Sequence, residues 1–181
     1  MRIKLTALAG AVAITATTVA CSSTPSTTSG TETWQAKETG AAVVAGNAPP
    51  TYHLTFTGPV KATSTWTPSD NNAVKSTATF KTTAGNLTVD ADLPDNGNPP
   101  TTSNATTCLF VQTLTGTYVV DGSKSTGSFK DATGHGTVKD VFSATMPRLS
   151  NGKCNTSDNA QPLAAGAYTT LVVSGPMTVK S

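Results

Sequence analysis

Histidine is the side chain best suited to moving protons near neutral pH, and this 181-residue chain has two, His53 and His135. His135 lies close in sequence to Asp131 and Asp140, which together supply the raw material of acid–base chemistry. It sits between Gly134 and Gly136, however, where a histidine is more often simply exposed in a turn, and no GxSxG or comparable nucleophile motif accompanies it. No catalytic residue is assigned. His53 falls opposite an apolar face and reads as solvated or at a barrel end. Asp90, Asp92, Asp95 and Asn96 form the one carboxylate-rich segment, DADLPDNGN. Calcium favours such oxygens, but Pro94 breaks the EF-hand spacing, so a solvated loop is expected and no metal ligand is assigned. Trp66, Phe80, Phe110, Tyr118, Phe129, Phe142 and Tyr168 either fill a core or line a cavity for a small apolar ligand. Of these, Trp66, Phe110, Tyr118 and Tyr168 are the candidates for touching that ligand. No cofactor motif is present.

The remaining chemistry belongs to three cysteines, Cys21, Cys108 and Cys154. Arg2 and Lys4 precede an uncharged stretch, Leu5 to Ala20, which has the layout of a secretory signal peptide and is too short and too weakly apolar for a membrane span. Thr18-Val19-Ala20-Cys21 resembles the bacterial lipobox, whose cysteine is acylated on sulfur and becomes the new N-terminus. Leu is the commoner residue where Thr18 stands. The alternative is an ordinary signal peptide cut near Ala20, which would leave Cys21 a free thiol, a liability in an oxidising compartment. With Cys21 given to a lipid, Cys108 and Cys154 are expected to pair. No CxxC and no His/Cys cluster argues for thiolate metal binding.

Net charge sharpens the picture. The whole chain carries 12 basic and 10 acidic residues, a net of +2; removing Arg2 and Lys4 with the signal peptide leaves 10 against 10. A neutral domain with scattered charges has no phosphate-tracking stripe, which argues against nucleic acid and against electrostatic membrane binding. The expected membrane partner is reached only through the N-terminal lipid, so the expected location is extracytoplasmic, at the cell membrane. Residues 1–20 are read as the signal peptide, 21–48 as a lipid-attached flexible tether and 49–181 as one folded domain. Within that tether, Thr31 to Ala48 is ambiguous, since Trp34 and Ala41 to Val44 have the character to pack on the domain.

The elements that position these residues are strands. Tyr52, Leu54 and Phe56 alternate with His53, Thr55 and Thr57, and Val60, Ala62, Ser64 and Trp66 continue the period of two beyond Gly58-Pro59. Val74 to Phe80 and Leu87 to Ala91 read as a hairpin around Ala84-Gly85-Asn86. Asp92 to Asn104 is expected as a long polar loop. Cys108 to Leu114 and Tyr118 to Val120 form further strands, followed by Thr126 to Lys130, Gly136 to Met146, Ala167 to Ser174 and Met177 to Lys180. No capping box precedes a 3.6 period. The domain is therefore all-β, a small antiparallel barrel of about eight strands, with a β-sandwich as the alternative. Gly58-Pro59 and Gly175-Pro176 mark bends, and one reading makes the first and last strands bend together where the barrel closes.

The string STGSFKDATGHGT, Ser125 to Thr137, is the most distinctive in the chain. Phe129 reads as an inward anchor followed by a tight reversal over Asp131 to Gly134. Through Gly127, Phe129, Ala132 and Gly134 the string resembles the GxFxxAxG element of the allene oxide cyclase and dirigent type of β-barrel. Together with Cys154 in NGKCN and the terminal SGPMTVKS, the pattern resembles a group of small secreted actinobacterial lipoproteins. The resemblance implies a barrel and carries over no catalytic residue. Two functions follow as expectations: a lipid-anchored envelope module that binds a small apolar ligand or envelope component, or an enzyme of cyclase or dirigent type acting on a small apolar substrate.

Overall fold

The computed structural model of the chain describes residues 26–44, 51–68, 74–94, 99–157 and 160–180. In chain order these form β1 (Thr27–Thr39), α1 (Ala41–Val44), β2 (Tyr52–Thr57), β3 (Ala62–Trp66), β4 (Lys75–Thr82), β5 (Gly85–Asp92), β6 (Thr101–Asn104), β7 (Leu109–Val120), β8 (Thr133–Thr145) and β9 (Leu163–Lys180). The sheet order is β5-β4-β3-β2-β1-β9-β8-β7-β6, every pairing antiparallel, and an additional β5–β7 pairing closes it. Eight strands thus form a closed barrel, and β6 lies outside as one extra strand on β7. Closure removes most of the free strand edge that an open sheet would expose.

The alternation read from the sequence sets the inward face. Tyr52, Leu54 and Phe56 are buried while His53, Thr55 and Thr57 are exposed. The main core gathers Trp34, Phe56, Phe80, Leu87, Tyr118, Phe129 and Met177 with smaller aliphatic residues around them. Trp34 is its hub, with ring centroids 5.0 to 5.4 Å from Phe56, Phe80 and Tyr118. Such aromatic pairs add to the burial of their own surface.

Four expectations are corrected. The tether expected over 21–48 is interrupted by β1, which is a central strand: it pairs with β9 along its whole length and with β2 through Thr33, Trp34 and Gln35. Its composition is that of a linker, but Trp34 and Ala36 on one face provide enough apolar surface to seat it in the barrel. The polar loop over Asp92–Asn104 contains β6, whose residues are all exposed. Thr126–Lys130 is not a strand: Gly127–Phe129 is a turn of 3₁₀-helix, with Gly127 at φ +61°, and β8 starts only at Thr133. Phe129 is nonetheless fully buried, as expected, 6.1 Å from the Phe56 ring, so the β7–β8 connection plugs one end of the barrel instead of lengthening its wall. Cys108 does not begin β7; it occupies the turn before it, at φ 57°.

At the other end, β7, β8, β9 and β1 run on beyond the shorter β2 to β5 and form an arm. By alternation the barrel's inward face continues along it through Phe110, Gln112 and Leu114 on β7 and Asp140, Phe142 and Ala144 on β8. There α1 packs Val43 against Ala144 and Ala167 in a small second core. At the arm's tip the expected disulfide is present: Cys108 and Cys154 are bonded, with Cα atoms 5.3 Å apart. It ties the β8–β9 loop to the β6–β7 turn and not to the barrel wall. No helix among the described residues is long and apolar enough to cross a membrane.

Candidate functional site

The barrel mouth, where the arm departs, brings together three polar side chains from three strands. Tyr52 opens β2 and points inward; its hydroxyl donates to Asp140 Oδ2 at 2.8 Å. Thr169, on β9, donates to Asp140 Oδ1 at 2.9 Å. Asp140 is on the inward face of β8 because it pairs with Leu171, which is buried in the barrel core. Burial raises the Asp140 carboxyl above its ordinary range, and the hydrogen bonds from Tyr52 and Thr169 only partly oppose this. Burial and the neighbouring Asp140 charge likewise raise the Tyr52 phenol. At the rim, Glu38 Oε1 accepts from the His53 backbone N–H at 2.8 Å and lies 3.0 Å from His53 Nδ1.

Apolar rings flank this polar cluster. Trp66 is half-buried, its ring stacked on Tyr52 at 5.8 Å and tilted against Phe80 at 5.1 Å. It ends β3, whose ladder with β4 among the described residues is the pair Ser64 and Thr82, supported by the Thr83 N–H donating to the Thr63 carbonyl at 3.2 Å. Beyond Asp140 the arm offers Phe142 and, further out, Phe110, in an edge-to-face pair at 6.3 Å. Tyr52 and Thr169 are themselves buried and Asp140 is partly covered, so the half-buried Trp66 and Phe142 rings and the Asp140 carboxyl are the parts of this cluster that remain accessible.

The four residues expected to touch a ligand do not form one site. Trp66 stands at the mouth and Phe110 on the arm's inward face. Tyr118 is buried inside the barrel, and Tyr168 is on the arm's opposite face, with the Lys37 ammonium 5.7 Å from its ring. His135 does not meet Asp140 through its ring: the two lie on opposite faces of β8, and His135 is exposed opposite Val119. Asp90 instead accepts from the Thr77 hydroxyl at 2.6 Å, and Asp92 lies 3.6 Å from the Lys75 ammonium, both on the barrel's outer surface. Asp95, Asn96 and Cys21 lie outside the described residues. Among those residues, no group of three or more His, Cys, Asp and Glu is placed to hold a metal ion.

The residue most clearly missed is Glu32. It is fully buried, with Oε2 accepting from the Val60 N–H at 2.9 Å and Oε1 lacking a partner among the described residues. Desolvation raises its carboxyl to about 7, against a partial offset from the Val60 bond. A signal existed in TETWQA, where Glu32 shares a period-two face with Trp34 and Ala36; a tether reading hides it. The two Gly-Pro bends prove to belong to this residue. Glu32 pairs with Gly175 on β9, and on the β2 side a Cβ placed on Gly58 would lie 2.9 Å from Glu32 Cα. The bends therefore flank β1 at one level, and the first and last of the expected strands are not themselves neighbours.

Fold and site together define a closed, antiparallel eight-stranded barrel plugged at one end, with a polar mouth under an open arm. No family model, curated protein or solved structure matches the chain.

Proposed function

We propose that the protein is a lipid-anchored envelope module, held at the cell membrane by acylated Cys21, whose barrel mouth binds a small, mainly apolar ligand bearing one hydrogen-bonding group. The observation that carries this reading is the Tyr52–Asp140–Thr169 cluster set beside the half-covered Trp66 ring. The partly covered Asp140 carboxyl, fixed by the Tyr52 and Thr169 hydroxyls that donate to it, orients a polar group, and Trp66, Phe142 and Phe110 supply apolar surface along which a ligand body lies. The Cys108–Cys154 disulfide supports an oxidising, extracytoplasmic setting.

Native mass spectrometry of detergent-extracted protein, with titration by 1-anilinonaphthalene-8-sulfonate, tests the binding site. Trp66→Ala should weaken probe binding about tenfold or more, as truncating an aromatic anchor does. A protein that carries no added mass and binds no probe overturns the reading. Cys21→Ala should release the protein from membranes or block its processing; unchanged membrane association removes the anchor.

One observation favours the cyclase or dirigent-type enzyme as a second reading. A carboxyl whose pKa is raised by burial, and which lies against a phenol, is suited to exchanging a proton with a bound substrate. Asp140→Asn would separate the two functions, since the amide keeps hydrogen bonds for binding and removes the acid.

A further inference from the structure

Across the barrel wall, one row of paired positions runs from β7 to β2. Tyr118 pairs with Gly136, Gly136 packs against Gly175, Gly175 pairs with Glu32, and Glu32 packs against Gly58. The two glycines between Tyr118 and Glu32 are dictated by backbone proximity: a Cβ on Gly136 would sit 2.2 Å from the Ser174 carbonyl oxygen, and one on Gly175 would sit 2.0 Å from that of His135. With no side chains between them, the inward side of this row belongs to Tyr118 and Glu32 alone. Trp34, two residues along β1 from Glu32 on the same face, closes over them with its ring 5.0 Å from that of Tyr118. Burial and the Glu32 charge push the Tyr118 phenol up to about 12.

On these three neighbouring side chains one buried polar atom each has no hydrogen-bond partner among the described residues: Glu32 Oε1, Trp34 Nε1 and the Tyr118 hydroxyl. Buried polar atoms are almost always paired, with protein or with an ordered small molecule. Their chemistry is complementary to a single oxygen. The indole N–H can only donate, the phenol can donate, and the carboxylate Oε1 can accept. A hydroxyl oxygen accepts from the first two and donates its own proton to the third.

We propose that Glu32, Trp34 and Tyr118 form an internal site for one hydroxyl group, contributed by a water molecule or by a small hydroxylated ligand. This site is separate from the mouth and does not depend on the binding reading given above. Its energetic logic is that of a buried polar network, which orders the core when every member is satisfied.

The test uses the full mature protein, labelled with nitrogen-15, with water as the probe. Magnetisation transfer from the solvent should reach the Trp34 indole proton with the sign of a long-lived bound water. If a ligand supplies the hydroxyl, the transfer arises from that molecule's own protons instead, and native mass spectrometry shows an added mass that denaturation releases. Tyr118→Phe keeps the ring and removes one donor, so the transfer should weaken and the Trp34 indole resonance should move. An arm variant of the mouth site away from this core, Phe110→Ala, should leave both unchanged, which separates failure here from failure of the mouth site. The proposal is overturned by a direct Tyr118 to Glu32 hydrogen bond with no third oxygen, or by a Trp34 indole proton silent to solvent and ligand alike.

Discussion

The closed barrel and the arm that extends from it are made from the same strands, yet they are held together differently. In the barrel, β1 and β7 to β9 face β2 to β5 across a filled interior, and Trp34, Phe56, Phe80, Tyr118 and Phe129 pack ring against ring. In the arm those strands have no opposing wall. Phe110, Gln112, Leu114 and Phe142 remain only partly covered, the second core is small, and the tip depends on one covalent bond. A sheet buries apolar surface well only when something faces it. Where facing strands run out, the chain substitutes a short helix and a disulfide, and that is where its inward face is left only partly covered.

The sharpest way to break the comparison is to remove a barrel anchor. Phe129→Ala should destabilise the whole domain by about 3 to 5 kcal/mol, through lost burial and a cavity at the plug, read as a lower melting temperature in circular dichroism. The exposed neighbour Lys130, changed to Ala, is the internal control and should shift stability by no more than about 0.5 kcal/mol. Equal melting of the two variants would remove Phe129 as an anchor.

An arm lesion should behave differently. On the chain-entropy account, opening the 46-residue loop of Cys108–Cys154 costs about 4 kcal/mol. In the Cys108→Ser, Cys154→Ser double variant, amide hydrogen exchange should accelerate first in β6 and in residues 109–114 of β7. Protection around Trp34 and Phe56 should fall least. Uniform loss of protection across both regions would mean that barrel and arm open as one unit.

The smallest expected effect distinguishes the barrel's interior from its mouth by pH. Glu32 has a folded-state pKa of about 7 against an ordinary value of 4.5. An acid whose pKa is raised on folding favours the folded state fully below the ordinary value. That contribution is lost as pH rises through about 7 and amounts to about 3 kcal/mol across the window. Asp140 is raised too, so its contribution has the same sign. Denaturant melts from pH 4 to 8 should show falling stability, with Glu32→Gln removing most of the slope and Asp140→Asn the remainder. A slope untouched by Glu32→Gln would show that the carboxylate is not held in an apolar interior.

How much of this was legible beforehand depended on the range of each constraint. Inward residues on β2 and β3, the burial of Phe129 and the pairing of Cys108 with Cys154 follow from local alternation, turn chemistry and cysteine arithmetic, and the structure agrees. The mouth cluster was not legible, because Tyr52, Asp140 and Thr169 come from β2, β8 and β9 and become neighbours only when β1 is inserted between β2 and β9. That insertion was itself hidden. A threonine- and serine-rich segment serves equally as a tether or as a strand, and in Thr27–Thr39 the choice is made by a partner strand more than a hundred residues away.

By itself, then, the sequence determined an all-β domain, its apolar face and its cross-link, since each rests on residues near one another in the chain or on a pair with no other partner available. The tertiary structure alone decided that the presumed tether is a barrel stave and that the arm outruns its facing wall. It also decided that Glu32 is enclosed between two glycine bends. The physical reason is common to all three: burial is a property of what packs from the other side, and here the other side arrives from distant strands.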